Sequence, residues 1–171
     1  MNLEFDISYS RDTVFKSVEL YLTENNLSIE KKDSQRPWGG FFVIDESDSE
    51  KFIAKFFPNL TKTQLSISGK LSPKILMVAP QKRLSWQYHH RRAEIWKLIA
   101  GEASVAISDN DVQKEIKKLH VNDIVELRQS ERHRLIGLNT WGIVAEIWRH
   151  TDVSRPSDED DIIRLQDDFG R

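Results

Sequence analysis

The chain has 171 residues, no cysteine, 39% apolar residues and a formal net charge of −2 at pH 7. This suits one packed domain and excludes disulfides and thiolate metal sites. Charge this close to zero gives no general pull towards nucleic acid or an anionic membrane. No apolar run approaches membrane-spanning length, and Met1–Asp6 lacks the basic and apolar regions of a signal peptide, so a cytoplasmic protein is expected.

In chain order, Val14, Val18 and Tyr21, with Phe15 and Leu22 beside them, form a helical stripe over Arg11–Glu24. Ser10 or Asp12 opens it and Asn25-Asn26 closes it. The acidic run 45–50 reads as a loop, from which Ser49 caps a short helix bearing Phe52, Ile53, Phe56 and Phe57, ended by Pro58-Asn59. From Lys74 onward the pattern is short strands: 74–79, 84–90, 95–99, 103–108, 112–119, 121–127 and 143–148. Asp109-Asn110-Asp111 supplies turn chemistry between two of them, and Gly101 stands where a hairpin can turn. Many short strands with frequent turns predict a mainly β, antiparallel sandwich or small barrel.

The chemistry concentrates in Leu84–Gly101. Alternate residues of a strand share a face, so Gln87 and His89 point together, and Glu94 can join them after a corner at Arg91-Arg92. A fourth ligand is expected from His133. Two neutral imidazoles, an amide oxygen and one carboxylate would leave a divalent ion with net charge near +1, a site that favours anions. Nitrogen and oxygen donors put zinc first among the candidates, with manganese, iron, cobalt and nickel also suited. His90 points away from His89 by strand alternation. Trp86, Trp96 and Trp148 are core or interface aromatics, with sugar stacking as the alternative. The Glu159-Asp160-Asp161 cluster by itself reads as a solvated face.

The spacing of Gln87, His89, Glu94 and Gly101 resembles the first signature of the cupin superfamily, with Gln81 in place of the leading glycine. The wording Leu84-Ser-Trp-Gln-Tyr-His-His-Arg-Arg-Ala-Glu-Ile-Trp96 is similar to the cupin domain of type II phosphomannose isomerases, which also closes bifunctional mannose-1-phosphate guanylyltransferase/isomerases. Arg36-Pro37-Trp38-Gly39, His133-Arg134-Leu135 and the ending Glu159–Arg171 follow the same branch. The resemblance covers residues 36–44 and 71–171. It implies a double-stranded β-helix, or jelly-roll, barrel at 36–171 with an insertion at about 45–70, preceded by a helical extension at 1–35 packed on the barrel. The insertion is expected to cover one mouth of the barrel.

The same resemblance implies a metal-dependent aldose–ketose isomerase taking mannose 6-phosphate to fructose 6-phosphate through an enediolate, whose charge a net-positive metal stabilises. The metal ligands would be Gln87, His89, Glu94 and His133. His90, Glu146 and Arg164 are the catalytic candidates, with a metal-bound water as another proton carrier and no spacing to choose among them. Arg92, Arg134 and Arg171, with Arg164 as a fourth candidate, are assigned to the phosphate, since guanidinium suits bidentate contact; each could equally pair with the carboxy-terminal carboxylates. A homodimer is expected, and no guanylyltransferase activity from 171 residues. Two departures stand out. Ile95 replaces the histidine that usually follows the liganding glutamate, and the second cupin signature is worn, with Asn122, Arg128, Ser130 and Gly137 at its turn positions. These favour the alternative of a metal- and sugar-binding module with a regulatory or scaffold role, and oxygenation is a more distant third.

Overall fold

The computed structural model describes residues 8–171, so the Met1–Asp6 stretch inspected for a leader lies outside the described residues. Helix α1 (Arg11–Glu24) is followed by strands β1 (Ile29–Arg36) and β2 (Gly39–Ile44) and helices α2 (Ser49–Phe56) and α3 (Lys62–Leu65). Then come β3 (Lys74–Val78), β4 (Trp86–Tyr88), β5 (Arg92–Ser108), β6 (Ile116–Leu119), β7 (Ile124–Leu127), β8 (Arg132–His150) and β9 (Ile163–Gln166). All strand pairs are antiparallel. They run β1-β2-β3-β8-β4-β9, and β5 lies along β8 while also carrying β6 and β7. The fold is mainly β and cupin-like, with an N-terminal helix, as expected.

Two long strands organise the barrel. The separate strands expected at 95–99 and 103–108 are one 17-residue strand, β5. Gly101 does not turn a hairpin there. It sits inside β5 at φ +71, between two register shifts against β8, and a Cβ on it would fall 1.7 Å from the Trp141 carbonyl oxygen. A β-bulge therefore bends the strand where a turn was anticipated. The segment 143–148 is likewise the end of 19-residue β8.

Strands β1, β2 and β9 were not anticipated. Gly39-Gly-Phe-Phe-Val-Ile44 lacks apolar alternation because both faces of β2 are covered. Phe42 and Ile44 pack with α1 and α2, while Phe41 packs inward with Leu76, Trp96 and Val144. The same alternation splits β3 into Ile75 and Met77 outside and Leu76 and Val78 inside. Hairpin β1–β2 runs across position 35, where the sequence suggested a division between extension and barrel.

Ser10 caps α1 by accepting the Thr13 N–H. Ser49 does not cap α2; it is that helix's first residue. The insertion does not cover the barrel mouth. Helix α2 has a strongly apolar side, and Phe52, Ile53 and Phe56 are buried against Val18, Leu22 and the outer face of the sheet, so none of residues 45–70 lines the inner cavity.

Candidate metal centre and its cavity

Three strands bring the donor groups together. Gln87 on β4 is the cross-strand partner of His133 on β8, and Glu94 on β5 faces Trp148 of β8. His89 follows one residue after β4. The donor atoms of His89, Glu94 and His133 lie within 4.8 Å of one another, and all three residues are buried. His89 Nε2 is 3.2 Å from Glu94 Oε1, and His133 Nε2 is 3.4 Å from Glu94 Oε2.

The outer nitrogens determine what the inner ones can do. His89 Nδ1 is 2.6 Å from the Asp161 carbonyl oxygen and His133 Nδ1 is 2.9 Å from that of Glu131. A carbonyl can only accept, so each Nδ1 carries the proton and each Nε2 turns a lone pair towards Glu94. Burial keeps both imidazoles neutral, pushing His89 down to about 3 and lowering His133 in the same direction. Burial alone would raise the Glu94 carboxyl, but the permanently charged Arg92, which donates to it at 2.7 Å, outweighs this and holds Glu94 down to about 2.

Glu94 Oε2 and His133 Nε2 are buried without any hydrogen-bond partner. Such orphans cost free energy unless something satisfies them. A carboxylate and two imidazole lone pairs all accept, the donor set that a divalent cation takes, and of the two imidazoles only His89 Nε2 already faces a cation, Arg92 Nη2 at 3.1 Å. The donors thus fit a divalent metal, which His89, Glu94 and His133 would hold and which would supply Lewis acidity and positive charge. Gln87 Nε2 lies 3.5 Å from His89 Nε2, and Gln87 Oε1 accepts from Ser85 Oγ at 2.5 Å. Half a turn of the amide would present the oxygen to the centre instead, and the Ser85 hydroxyl accepts as readily as it donates.

Gln87 and Glu94 line a cavity of about 340 Å³, and His89 and His133 stand behind them, outside its lining. Glu146 lines it, donated to by Trp96 Nε1 at 2.9 Å, and burial with the nearby Glu94 charge pushes its carboxyl up to about 7. Lys74, the cross-strand partner of Glu146, also lines it. Its side chain is only 5% exposed, and burial lowers its pKa although Glu146 and Glu159 oppose the shift. Lys74 Nζ lies 3.5 Å from the Trp148 ring centroid and Arg92 Cζ 3.6 Å from it. Two cations at that height cannot share one face, so the indole is sandwiched between them. Lys74 was missed by the sequence reading. Its signal was a lone charge on an otherwise apolar strand, in phase with the inward Leu76 and Val78.

Several expected residues are placed differently. His90 is exposed and does not line the cavity, because its neighbour His89 takes the inward direction. Arg134 is fully buried but outside the cavity, spent on Gln113, Gln166 and the Gln166 carbonyl. Arg92 lines the cavity, but its donors go to Glu94, His89 Nε2, Ser157 and the Asp158 carbonyl, so it braces two candidate metal ligands and is not free for phosphate. Arg164 and Arg171 line the cavity. Of the acidic ending, Asp161 is buried, not solvated. Its carboxylate accepts the backbone N–H groups of His90 and Arg91 and the Ser157 hydroxyl. Ile95 packs in the outer core, so the histidine it replaces would not have faced this cavity.

Residues 54–167 match the family described as mannose-6-phosphate isomerase C-terminal. The match begins inside the 45–70 stretch, which the sequence resemblance had left out. Among curated proteins, the chain is 31% identical over 136 residues to the alginate biosynthesis protein AlgA of Pseudomonas aeruginosa, covering 80% of this chain and 22% of that one. It is 30% identical over 142 residues to a mannose-1-phosphate guanylyltransferase of Escherichia coli, covering 82% and 23%. Against the mannose-1-phosphate guanylyltransferase ManC of Salmonella typhimurium it is 28% identical, with the same coverage. The chain therefore spans less than a quarter of the length of these relatives.

Among solved structures, an oxalate decarboxylase of Bacillus subtilis superposes with a TM-score of 0.54 at 12% identity, covering 80% of this chain and 30% of that one. Tomato vicilin gives 0.51 at 16%, covering 81% and 35%. At such identities the likeness is one of fold. The relatives overturn the expected activity. They are named for guanylyltransfer and alginate biosynthesis, so an enzyme converting mannose 6-phosphate to fructose 6-phosphate is not what this chain resembles over its length. Belonging to the family is a separate matter, carried by the match over two thirds of the residues: the chain is a member of the mannose-6-phosphate isomerase C-terminal family, a family of cupin-type domains.

Proposed function

We propose that this domain holds a divalent cation on His89, Glu94 and His133, with Gln87 as fourth donor, and binds a phosphorylated sugar of the mannose-phosphate class against it. The observation that carries this reading is the orphaned pair Glu94 Oε2 and His133 Nε2, with Glu94 and Gln87 also lining a polar cavity. A divalent ion on two neutral imidazoles and one carboxylate keeps a net charge of about +1 and attracts an anionic ligand. The curated relatives are enzymes named for sugar-phosphate chemistry, which supports the ligand class and a place in carbohydrate metabolism. Zinc is the first metal to try, since mixed nitrogen and oxygen donors suit it.

The chain's own residues do the remaining work. Trp96 fixes Glu146 by its indole N–H, and Phe41 gives the cavity apolar surface. A homodimer belongs to the same reading. Strands β6 and β7 pair only with β5 and leave Ile116 and Ile124 exposed, as edges awaiting a partner do; light scattering at the mass of one chain removes it.

The test is calorimetric titration of zinc-loaded protein with mannose 1-phosphate, mannose 6-phosphate and mannose. Binding of at least one phosphate that disappears on chelation is expected. Failure of every hexose phosphate to bind the loaded protein overturns the reading.

A further inference from the structure

Resting on the sugar-phosphate reading, we propose that the ligand's phosphate monoester is gripped by Arg36, Arg164 and Arg171, a corner of the cavity separate from the metal. The three guanidiniums come from distant parts of the chain, β1, β9 and the residues after it, and all line the cavity. Arg164 is the cross-strand partner of Gln87. Directly paired residues stand on the same sheet face, so Arg164 rises beside a candidate metal donor.

The charge accounting singles out this corner. Lys74 is engaged by Glu159, and Arg92 by Glu94. Arg171 is held by Asp167 through Nε and Nη2 at 3.0 and 2.8 Å, and Arg36 Nε lies 2.8 Å from Asp33. The Arg164 side chain makes no hydrogen bond or ion pair with any described residue. Burial, then the charge of Arg171, lower its pKa; Asp167 opposes the shift and Arg36 adds to it, so three guanidiniums share this corner with carboxylates that hold only Arg171 and Arg36. Asp160 also lines the cavity and makes no ion pair with any described residue, so it is a group an incoming anion must oppose.

A phosphate dianion satisfies this corner better than a carboxylate. Its oxygens accept from several guanidiniums at once, and the planar fork of arginine matches them in pairs. A cavity of about 340 Å³ lies at the lower end of small-molecule sites, which suits a sugar monophosphate and leaves little room for a nucleotide sugar. The phosphate candidates anticipated from sequence were Arg92, Arg134, Arg164 and Arg171; the geometry keeps Arg164 and Arg171, sets the other two aside and adds Arg36.

The experiment titrates zinc-loaded full-length protein, Arg164→Gln and Arg36→Gln with hexose phosphates, inorganic phosphate and mannose. Each variant is expected to bind hexose phosphate at least about tenfold more weakly. Zinc affinity and melting temperature should not change, and Asp160→Asn should bind more tightly. If the parent binds hexose phosphate and Arg164→Gln binds it equally well, the subsite is wrong while the functional reading stands. If no hexose phosphate binds but inorganic phosphate does, and Arg164→Gln loses it, the subsite stands and the sugar reading falls. Binding of neither to the parent overturns both.

Discussion

His133 Nε2 lies 3.4 Å from Glu94 Oε2, both atoms are buried, and neither makes a hydrogen bond. Two acceptors held face to face with no donor between them cost stability that a shared cation would recover, so metal binding and folding stability are linked. At a free metal concentration 100 times the dissociation constant, binding should add about 2.7 kcal/mol. For a chain of this length that raises the melting temperature by roughly 5–10 °C. Scanning calorimetry with and without zinc measures the shift. Glu94→Gln and His133→Ala should both lose it, and an equal shift in either variant would show that zinc binds elsewhere.

Stability of the metal-free protein should fall on acidification. Burial pushes His89 to about 3 and His150 to about 4, and lowers His133. The unfolded chain protonates these groups near 6.5 while the folded one does not, so unfolding takes up protons below that pH. Each fully buried histidine costs up to about 1.4 kcal/mol per pH unit in its window. Glu146 works the other way. Raised to about 7, it releases its proton on unfolding between about 4.5 and 7 and so favours the folded state as pH falls. Three histidines against one glutamate leave a net loss from pH 6.5 to 4.5. The loss steepens below 4.5, where the contribution of Glu146 ends and the depressed carboxyl of Glu94 adds to it. Urea unfolding at pH 7.5, 6 and 5 measures this, with a shallower slope for His89→Gln; stability that is flat or rising towards pH 5 would contradict it.

Helix α1 was legible because its stripe of Val14, Val18 and Leu22 repeats at the helical period. Helix α2 was legible because Phe52, Ile53 and Phe56 do the same. The grouping of Gln87, His89 and Glu94 could be read from strand alternation, since two of them lie two apart and the third follows one corner. What was not legible depended on pairing across the sheet. Strand β2 has no alternation because both its faces are covered. Only register puts Lys74 opposite Glu146 and Arg164 opposite Gln87. Asp161 looked like surface because its N–H partners at His90 and Arg91 are 70 residues away in sequence.

The bulge at Gly101 should resist substitution far more than an exposed turn. Gly101→Ala combines a left-handed backbone with a Cβ placed 1.7 Å from the Trp141 carbonyl, in the strand that carries Glu94. Strain of this kind costs on the order of 1–3 kcal/mol before the clash is counted, so a loss above about 3 kcal/mol is expected. Gly69 has φ +86 with nothing within 4 Å of an added Cβ, so Gly69→Ala should cost only about 1 kcal/mol. Thermal melts of the two variants compare them, and equal losses would show that the bulge is not sterically enforced.

Asp161 should govern metal affinity without touching the metal. Its carbonyl takes the His89 Nδ1 proton and its carboxylate pins the corner at His90 and Arg91 that carries the ring. Asp161→Asn replaces one accepting oxygen with an NH₂ that cannot accept the Arg91 or His90 N–H. The corner then loosens and His89 is no longer held towards Glu94. Partners that orient a liganding histidine typically contribute 10–100-fold to metal affinity, so a zinc dissociation constant at least about tenfold weaker is expected in chelator competition. Ser157→Ala removes a 2.6 Å hydrogen bond to the same carboxylate but leaves both backbone contacts, and should cost less. A metal affinity unchanged in Asp161→Asn would mean that β4 and β5 alone set the imidazole, and that the carboxy-terminal segment serves only as a wall.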